Sequence, residues 1–174
     1  MWALCQLLEF PPKPYDMERE SHHRKPDMTS HAETRRLPYS ADQMFDLVAD
    51  VASYPKFLPW TAAARIRSVE EHEDHSIILA DLVISFKVFR EKFGSQVILW
   101  PKTRVIETAY IDGPFKYLNS TWAFQDAPDG CDVTFEVDFE FRNKLLQGAA
   151  GMFFNQAMQT VVRAFERRAG ELYA

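Results

Sequence analysis

The chain has 174 residues and a mass of 20.2 kDa, which is the size of one domain. Because 47% of its residues are apolar and can fill a core, a chain that is disordered throughout is excluded. The formal net charge of −5 opposes non-specific attraction to phosphate backbones and argues against a dedicated DNA- or RNA-binding protein. Cys5 and Cys131 match no metal-site spacing, so we expect neither a zinc site nor a disulfide framework.

The first thirty residues differ in composition from the rest. They hold four of the ten prolines, an acidic run over 16–20 and no periodic apolar pattern. Such a segment cannot offset its ordering entropy, so we expect a disordered or dispensable tail over 1–30 and one domain over 31–174. Met28 stands near the boundary, which suggests that translation starts there. This segment fits neither a secretory signal nor a transit peptide, because it lacks a basic flank and contains acids.

Two short helices are expected next. A strand over 31–37 ends at Pro38. Ser40 and Gln43 then have the spacing of a capping box, in which a hydroxyl and an amide satisfy free backbone groups at a helix start. Apolar residues at helical spacing predict a helix over 41–49, and 51–58 can add a second short one.

After Trp60 the apolar pattern changes from helical spacing to alternation, which is typical of strands. The alternating segments pass through Ile66 and then cover 77–88, 93–100, 103–111, 116–124 and 132–141. Most are separated by short turns with Gly, Pro or Asp, and connections of that length join antiparallel neighbours. In the last segment Phe and Val alternate with acids, so one face is expected to be covered and the other wet.

From Lys144 to Tyr173 apolar residues recur at helical spacing, which predicts one helix of roughly 43 Å. Amide side chains interrupt its uncharged run, so a membrane span is a poor interpretation. The predicted fold is α+β: a curved antiparallel sheet of about seven strands, two short helices and the long C-terminal helix, in the helix-grip arrangement. Such a sheet and helix tend to enclose an apolar cavity.

Several motifs resemble those of the coenzyme Q-binding START-like family. They are YSADQMFDLVAD at 39–50, YPKFLPW at 54–60, FKVFREKF at 86–93, DGPFK at 112–116, VDFEF at 137–141 and AFERRA at 164–169. The resemblance covers about 31–173. It implies a non-catalytic chaperone or carrier for ubiquinone or a similar polyprenyl lipid, in support of respiration and with no further cofactor. It also implies transient contact with a membrane surface, and hence a cytoplasmic protein that reaches the inner face of the bacterial membrane.

Two alternatives stay open. Bacterial ribosome-association toxins share these motifs and would inhibit the joining of ribosomal subunits, although the 86–93 segment and the negative charge favour the quinone interpretation. The second alternative is an aromatase/cyclase-like enzyme, and it is supported by fold analogy alone. Cys131 and the hairpin residues His72 and His75 lack obvious partners for catalysis or metal binding, so we expect neither an enzyme nor a metal site.

The expected ligand contacts come from a loop, the strands and the helix. The loop contributes Phe57, Leu58 and Trp60, which are also the expected membrane contact; the strands contribute Phe86, Leu118, Trp122, Phe124, Phe135, Val137 and Phe139; the helix contributes Phe153, Phe154, Ala157, Met158 and Val161. Ordinary core packing is the alternative role for each. A quinone headgroup needs polar partners, for which the candidates are Trp60, Trp122, Tyr117, Asn155, Gln156 and Gln159. For the three amides a position facing solvent is the more common explanation.

Overall fold

The computed structural model describes residues 29–86 and 89–174. Within its strands and helices, nothing is described of the side chains at 86, 89, 146, 149–151 and 153. Most of the expected tail therefore lies outside the described residues. The first strand begins at Thr29, two residues before the expected start of the domain.

The elements follow the order expected from the sequence. The strands are β1 (Thr29–Leu37), β2 (Thr61–Glu71), β3 (Ser76–Phe86), β4 (Phe89–Trp100), β5 (Val105–Asp112), β6 (Phe115–Ala127) and β7 (Gly130–Phe141). The helices are α1 (Ala41–Ala49), a 3₁₀ helix (Val51–Lys56) and α2 (Lys144–Tyr173). Ser40 and Gln43 form the predicted capping box at the start of α1, with Ser40 Oγ accepting from the Gln43 backbone N–H at 3.1 Å.

One boundary differs from the sequence prediction. The expected strand over 77–88 ends earlier, at Phe86, and β4 begins at Phe89 rather than at Phe93. The β3–β4 connection at 87–88 lies outside the described residues. The segment has no Gly or Pro and its alternation continues on both sides, so the sequence contains no signal for the boundary between the two strands.

All seven strands form one antiparallel sheet in the order β1-β7-β6-β5-β4-β3-β2. Its register aligns side chains in rows across the concave face, one of which runs from Ile106 through Trp122 and Phe135 to Glu33. The helix α2 packs over β1, β7 and α1 on this side. The helix-grip fold is thereby confirmed.

Candidate functional site

The concave face of the sheet and α2 enclose a small void of about 10 Å³. Apolar and charged side chains line it together, among them Trp122, Phe135, Val162, Phe165, Glu33 and Arg35. A volume of this size holds about one water molecule, whereas pockets for lipid-sized ligands measure several hundred Å³. A prenyl chain therefore does not fit into this void.

Charged side chains of β1 lie beside the void. Arg35 Nη1 donates to Glu166 Oε1 of α2 at 2.9 Å, and Arg35 Nε donates to Glu33 Oε1 at 3.0 Å. His31 Nε2 lies 3.2 Å from Glu33 Oε2. Of these contacts, the one between Arg35 and Glu166 joins α2 to the edge strand β1. The sequence prediction missed them, although His31, Glu33 and Arg35 alternate along β1 and hence share one face.

Aromatic rings form a cluster on the concave side of the sheet. Phe115 stands at their centre, stacked on Phe141 at 4.6 Å and edge-on to Phe93 at 5.6 Å, Tyr110 at 5.7 Å and Phe139 at 5.7 Å between ring centroids. Such edge-to-face pairs add to the stability gained from burying their area. These rings occupy space that an interior ligand would need.

The expected ligand contacts fall into three groups. The buried ones are Trp122, Phe124, Phe135, Val137, Phe139 and Phe154. The half-buried ones are Phe57, Leu58, Trp60, Leu118, Ala157, Met158 and Val161. The side chains of Phe86 and Phe153 lie outside the described residues. The buried and half-buried residues contact other side chains of the chain or line its concave side. Their role in binding a ligand stays a prediction.

The loop expected to meet the membrane is anchored to α2. Phe57 and Tyr54 both pack edge-on against Phe165, at 5.2 and 5.5 Å between centroids. The Tyr54 hydroxyl donates to the carbonyl of Val48 at 2.6 Å. Trp60 adopts a left-handed backbone conformation with φ of 63°. These contacts assign Phe57 an anchoring role, and membrane contact by the loop stays a prediction.

The expected headgroup partners are corrected by their positions. Tyr117 pairs in register with Glu140 on the convex side of the sheet, so it cannot reach the interior. The amides of Asn155, Gln156 and Gln159 are exposed to solvent on α2. A position facing solvent is the more common explanation for these amides, and the structure agrees with it.

Another interior polar group that the sequence prediction missed is Tyr110. Its hydroxyl oxygen is buried and has no hydrogen-bond partner among the described residues. It shares the concave side of β5 with Ile106 and lies opposite Ser95 of β4. The alternation Ile106, Thr108, Tyr110 is the signal that could have identified it. A buried hydroxyl without a hydrogen-bond partner lowers the stability of the fold. A ligand that accepts a hydrogen bond from the Tyr110 hydroxyl would remove that cost.

Other groups offer little for catalysis or metal binding. Within the described part of the chain, no three His, Cys, Asp or Glu side chains converge as metal ligands. Burial, reinforced by Asp132 and Asp126, raises the pKa of the Cys131 thiol, which disfavours the thiolate. His72 and His75 stack at 4.5 Å in the β2–β3 hairpin. Over residues 29–86 and 89–174, no helix combines the length and the apolar character needed to cross a bilayer.

A curved seven-stranded sheet gripped by a C-terminal helix defines the START-like class of proteins. The model of the family described as polyketide cyclase / dehydrase and lipid transport matches residues 37–166, and the chain belongs to this family.

Two relatives of the chain carry different functional names. It is 40% identical to Ribosome association toxin RatA of Rickettsia prowazekii over 83% of this chain and 99% of that protein. It is 31% identical to Coenzyme Q-binding protein COQ10 homolog B, mitochondrial, of Xenopus laevis over 82% of this chain and 59% of that protein. The solved structure of the Zhui aromatase/cyclase from a Streptomyces species superimposes with a TM-score of 0.69. It covers 82% of this chain and 94% of that one at 17% identity, which establishes the fold alone.

Proposed function

We propose that this protein is a ribosome-associated inhibitor of translation, which binds the large ribosomal subunit and hinders its joining to the small one. The observation that carries the proposal is its 40% identity to a ribosome association toxin along 99% of that protein. The COQ10 homolog is less similar and is covered over 59% of its length. The relatives thus favour the alternative of the sequence analysis over its main interpretation.

The geometry of the interior supports a function at the surface. Among the described residues, the void beneath α2 measures about 10 Å³, and Phe115 on the concave side packs against four other rings. A protein that carries a prenyl lipid needs an interior pocket of several hundred Å³. A protein that acts by docking on a large particle needs only a rigid framework, and the packed sheet and helix provide one.

Sedimentation with separated bacterial subunits tests the proposal. We expect the purified full chain to sediment with the large subunit and to reduce the peak of assembled ribosomes when it is added before the subunits are mixed. Added to assembled ribosomes, it should change their peak less, because the joining surface is already covered. The proposal is wrong if the protein stays at the top of the gradient in every mixture and a cell-free translation reaction proceeds at its usual rate.

Quinone binding is the second candidate, supported by the COQ10 homolog and by the unpaired Tyr110 hydroxyl. That hydroxyl can donate to a quinone carbonyl once the surrounding rings move apart. Support for respiration and contact with membranes belong to this candidate.

The Tyr110→Phe variant tests the second candidate, because it removes one hydroxyl and keeps the ring. We expect purified Tyr110→Phe protein to retain several-fold less quinone after solvent extraction than the unaltered protein. Tyr117→Phe is the matched control, since its hydroxyl is equally unpaired but lies on the convex side. Equal quinone content in both variants, or none in the unaltered protein, would count against this candidate.

A further inference from the structure

At its C-terminal end α2 carries an exposed acid, Glu171, which pairs with Arg168 at 2.8 Å. From Leu145 to Arg167, one face of α2 points away from the sheet and contains no acidic residue. It comprises Leu145, Met152, Gln156, Gln159, Arg163 and Arg167, all exposed, and we call it the outer face of α2. Their spacing of three, four or seven residues places them on one side of the helix. The stripe is about 33 Å long at 1.5 Å per residue.

The chemistry of the outer face is that of a polar, basic surface. No Asp or Glu occurs between Lys144 and Phe165. The first acid after them, Glu166, is engaged by Arg35 at 2.9 Å. Arg163 and Arg167 lie one helical turn apart, and neither has an ion-pair partner among the residues that the structure describes.

Four other arginines of the chain contrast with these two, whereas the exposed Arg65 and Arg90 likewise have no ion pair among the described residues. The described ion pairs engage Arg35 with Glu33, Arg36 with Asp132, Arg104 with Asp42 and Arg168 with Glu171, at 2.5–3.0 Å. A guanidinium that is already paired with a carboxylate is less available to an anionic partner. Within the described ranges, the two arginines of the outer face meet no carboxylate, so they remain available to such a partner.

Four acids of β7 lie on the opposite side of the molecule. On β7 the side chains of Asp132, Glu136, Asp138 and Glu140 alternate with the buried apolar row, so they face outward from the convex side. Burial, together with Asp138 and Glu140, raises the pKa of Tyr117 beside them, which is consistent with a negative local potential. Arg36 pairs with Asp132 and Lys116 pairs with Glu140, so among the described residues Glu136 and Asp138 are the acids of this row that have no ion pair.

The negative net charge does not prevent the outer face from attracting an anion. The sheet and α2 are packed layers, which separate the two charged sides by more than about 10 Å. At physiological salt, exposed charges that far apart are largely screened from each other. The arginines of the outer face can therefore attract an anionic partner independently of the acids of β7.

We propose that the outer face of α2 binds the phosphate backbone of folded ribosomal RNA on the large subunit, an inference that rests on the proposed function. Arg163 and Arg167 donate to phosphate oxygens. Gln156 and Gln159 donate to or accept from riboses and base edges, and Met152, with 75% of its surface exposed, covers apolar parts of the same nucleotides. RNA is favoured over a lipid bilayer because amides and arginines outnumber the two large apolar side chains of the stripe.

Charge variants of the outer face test the inference. We expect the Arg163→Glu, Arg167→Glu double variant to bind purified bacterial large subunits at least about tenfold more weakly than the unaltered protein in 0.1 M salt. The Arg163→Gln, Arg167→Gln double variant keeps helix-forming side chains and removes two charges. The slope of its log binding constant against log salt should become shallower by about two, because each arginine is expected to neutralise one phosphate.

The control changes the same amount of charge elsewhere. The Lys56→Glu, Lys102→Glu double variant alters two exposed lysines outside α2, and we expect its affinity to stay within about twofold of the unaltered protein. Circular dichroism melts of all variants identify any loss of folding. A control variant that weakens binding as much as the arginine variant would overturn the inference, because net charge alone would then govern binding.

The outcomes separate this inference from the proposed function. If the unaltered protein does not bind large subunits, the proposed function fails. If it binds them and folded arginine variants bind equally well, the docking surface lies elsewhere and only the inference fails. If binding to intact subunits is abolished in the arginine variants while protein-free ribosomal RNA is never bound, the face contacts a ribosomal protein and the assignment to RNA is wrong.

Discussion

Replacing Phe124 by alanine is expected to lower the free energy of unfolding by about 3–5 kcal/mol. Phe124 is 2% exposed, stacks parallel to Trp122 at 6.3 Å between centroids and meets the edge of Phe45 at 6.1 Å. Truncation removes this packing and leaves a cavity that its rigid neighbours cannot close. Chemical unfolding with denaturant measures the difference.

The change in stability also shows whether Phe124 lines a ligand pocket, as the sequence predicted, or packs in the core. Truncating a ring that lines an open pocket removes little dispersion attraction, whereas truncating a ring packed on all sides removes most of it. Met152→Ala is the control, because Met152 is 75% exposed and its truncation should change stability by less than about 0.5 kcal/mol. A decrease below about 1 kcal/mol for Phe124→Ala would contradict the packed interior.

Replacing Gly130 by alanine is expected to destabilise the protein by about 3 kcal/mol, at the upper end of the cost of a strained backbone residue. Gly130 has φ of 142°, and a Cβ built on it would lie 1.9 Å from the carbonyl oxygen of Leu37. That oxygen belongs to the backbone at the end of β1 and cannot rotate away. The variant must therefore separate the ends of β1 and β7 or change the turn before β7.

Gly148→Ala gives a matched control with the opposite sign. Gly148 lies within α2, and a Cβ there would meet nothing within 4 Å. Because glycine weakens a helix interior, alanine should stabilise the protein by about 0.5–1 kcal/mol. Thermal unfolding of both variants should move the midpoint in opposite directions. An unchanged midpoint for Gly130→Ala would mean that the close approach to Leu37 is relieved at no cost.

The motifs of the sequence indicated the family. They favoured quinone binding over ribosome association, whereas the relatives favour ribosome association. The net charge of −5 argued against binding to RNA. That argument is weak, because a total charge carries no information about where the charges lie on the surface. The fold places Asp138 and its neighbours on the convex side and Arg163 and Arg167 on the outer face of α2. A negatively charged protein can then present a basic face, which only the assembled sheet and helix reveal.

Local chemistry determined the elements themselves. The Ser40–Gln43 capping box begins α1 as predicted, and the alternation along 132–141 correctly divided β7 into a buried and an exposed face. These features depend on neighbours within four residues or on a period of two, so the sequence alone contains them. The length of α2 followed from its apolar spacing in the same way.

Tertiary structure decided what the concave side contains. Phe93, Phe115 and Phe141 come from three strands, and only the register of the sheet brings their rings together. The contact of Arg35 with Glu166 joins residues 131 positions apart. Whether a gripped sheet holds a lipid or is filled by its own rings depends on how side-chain volumes add across strands, and no local pattern in the sequence records that sum.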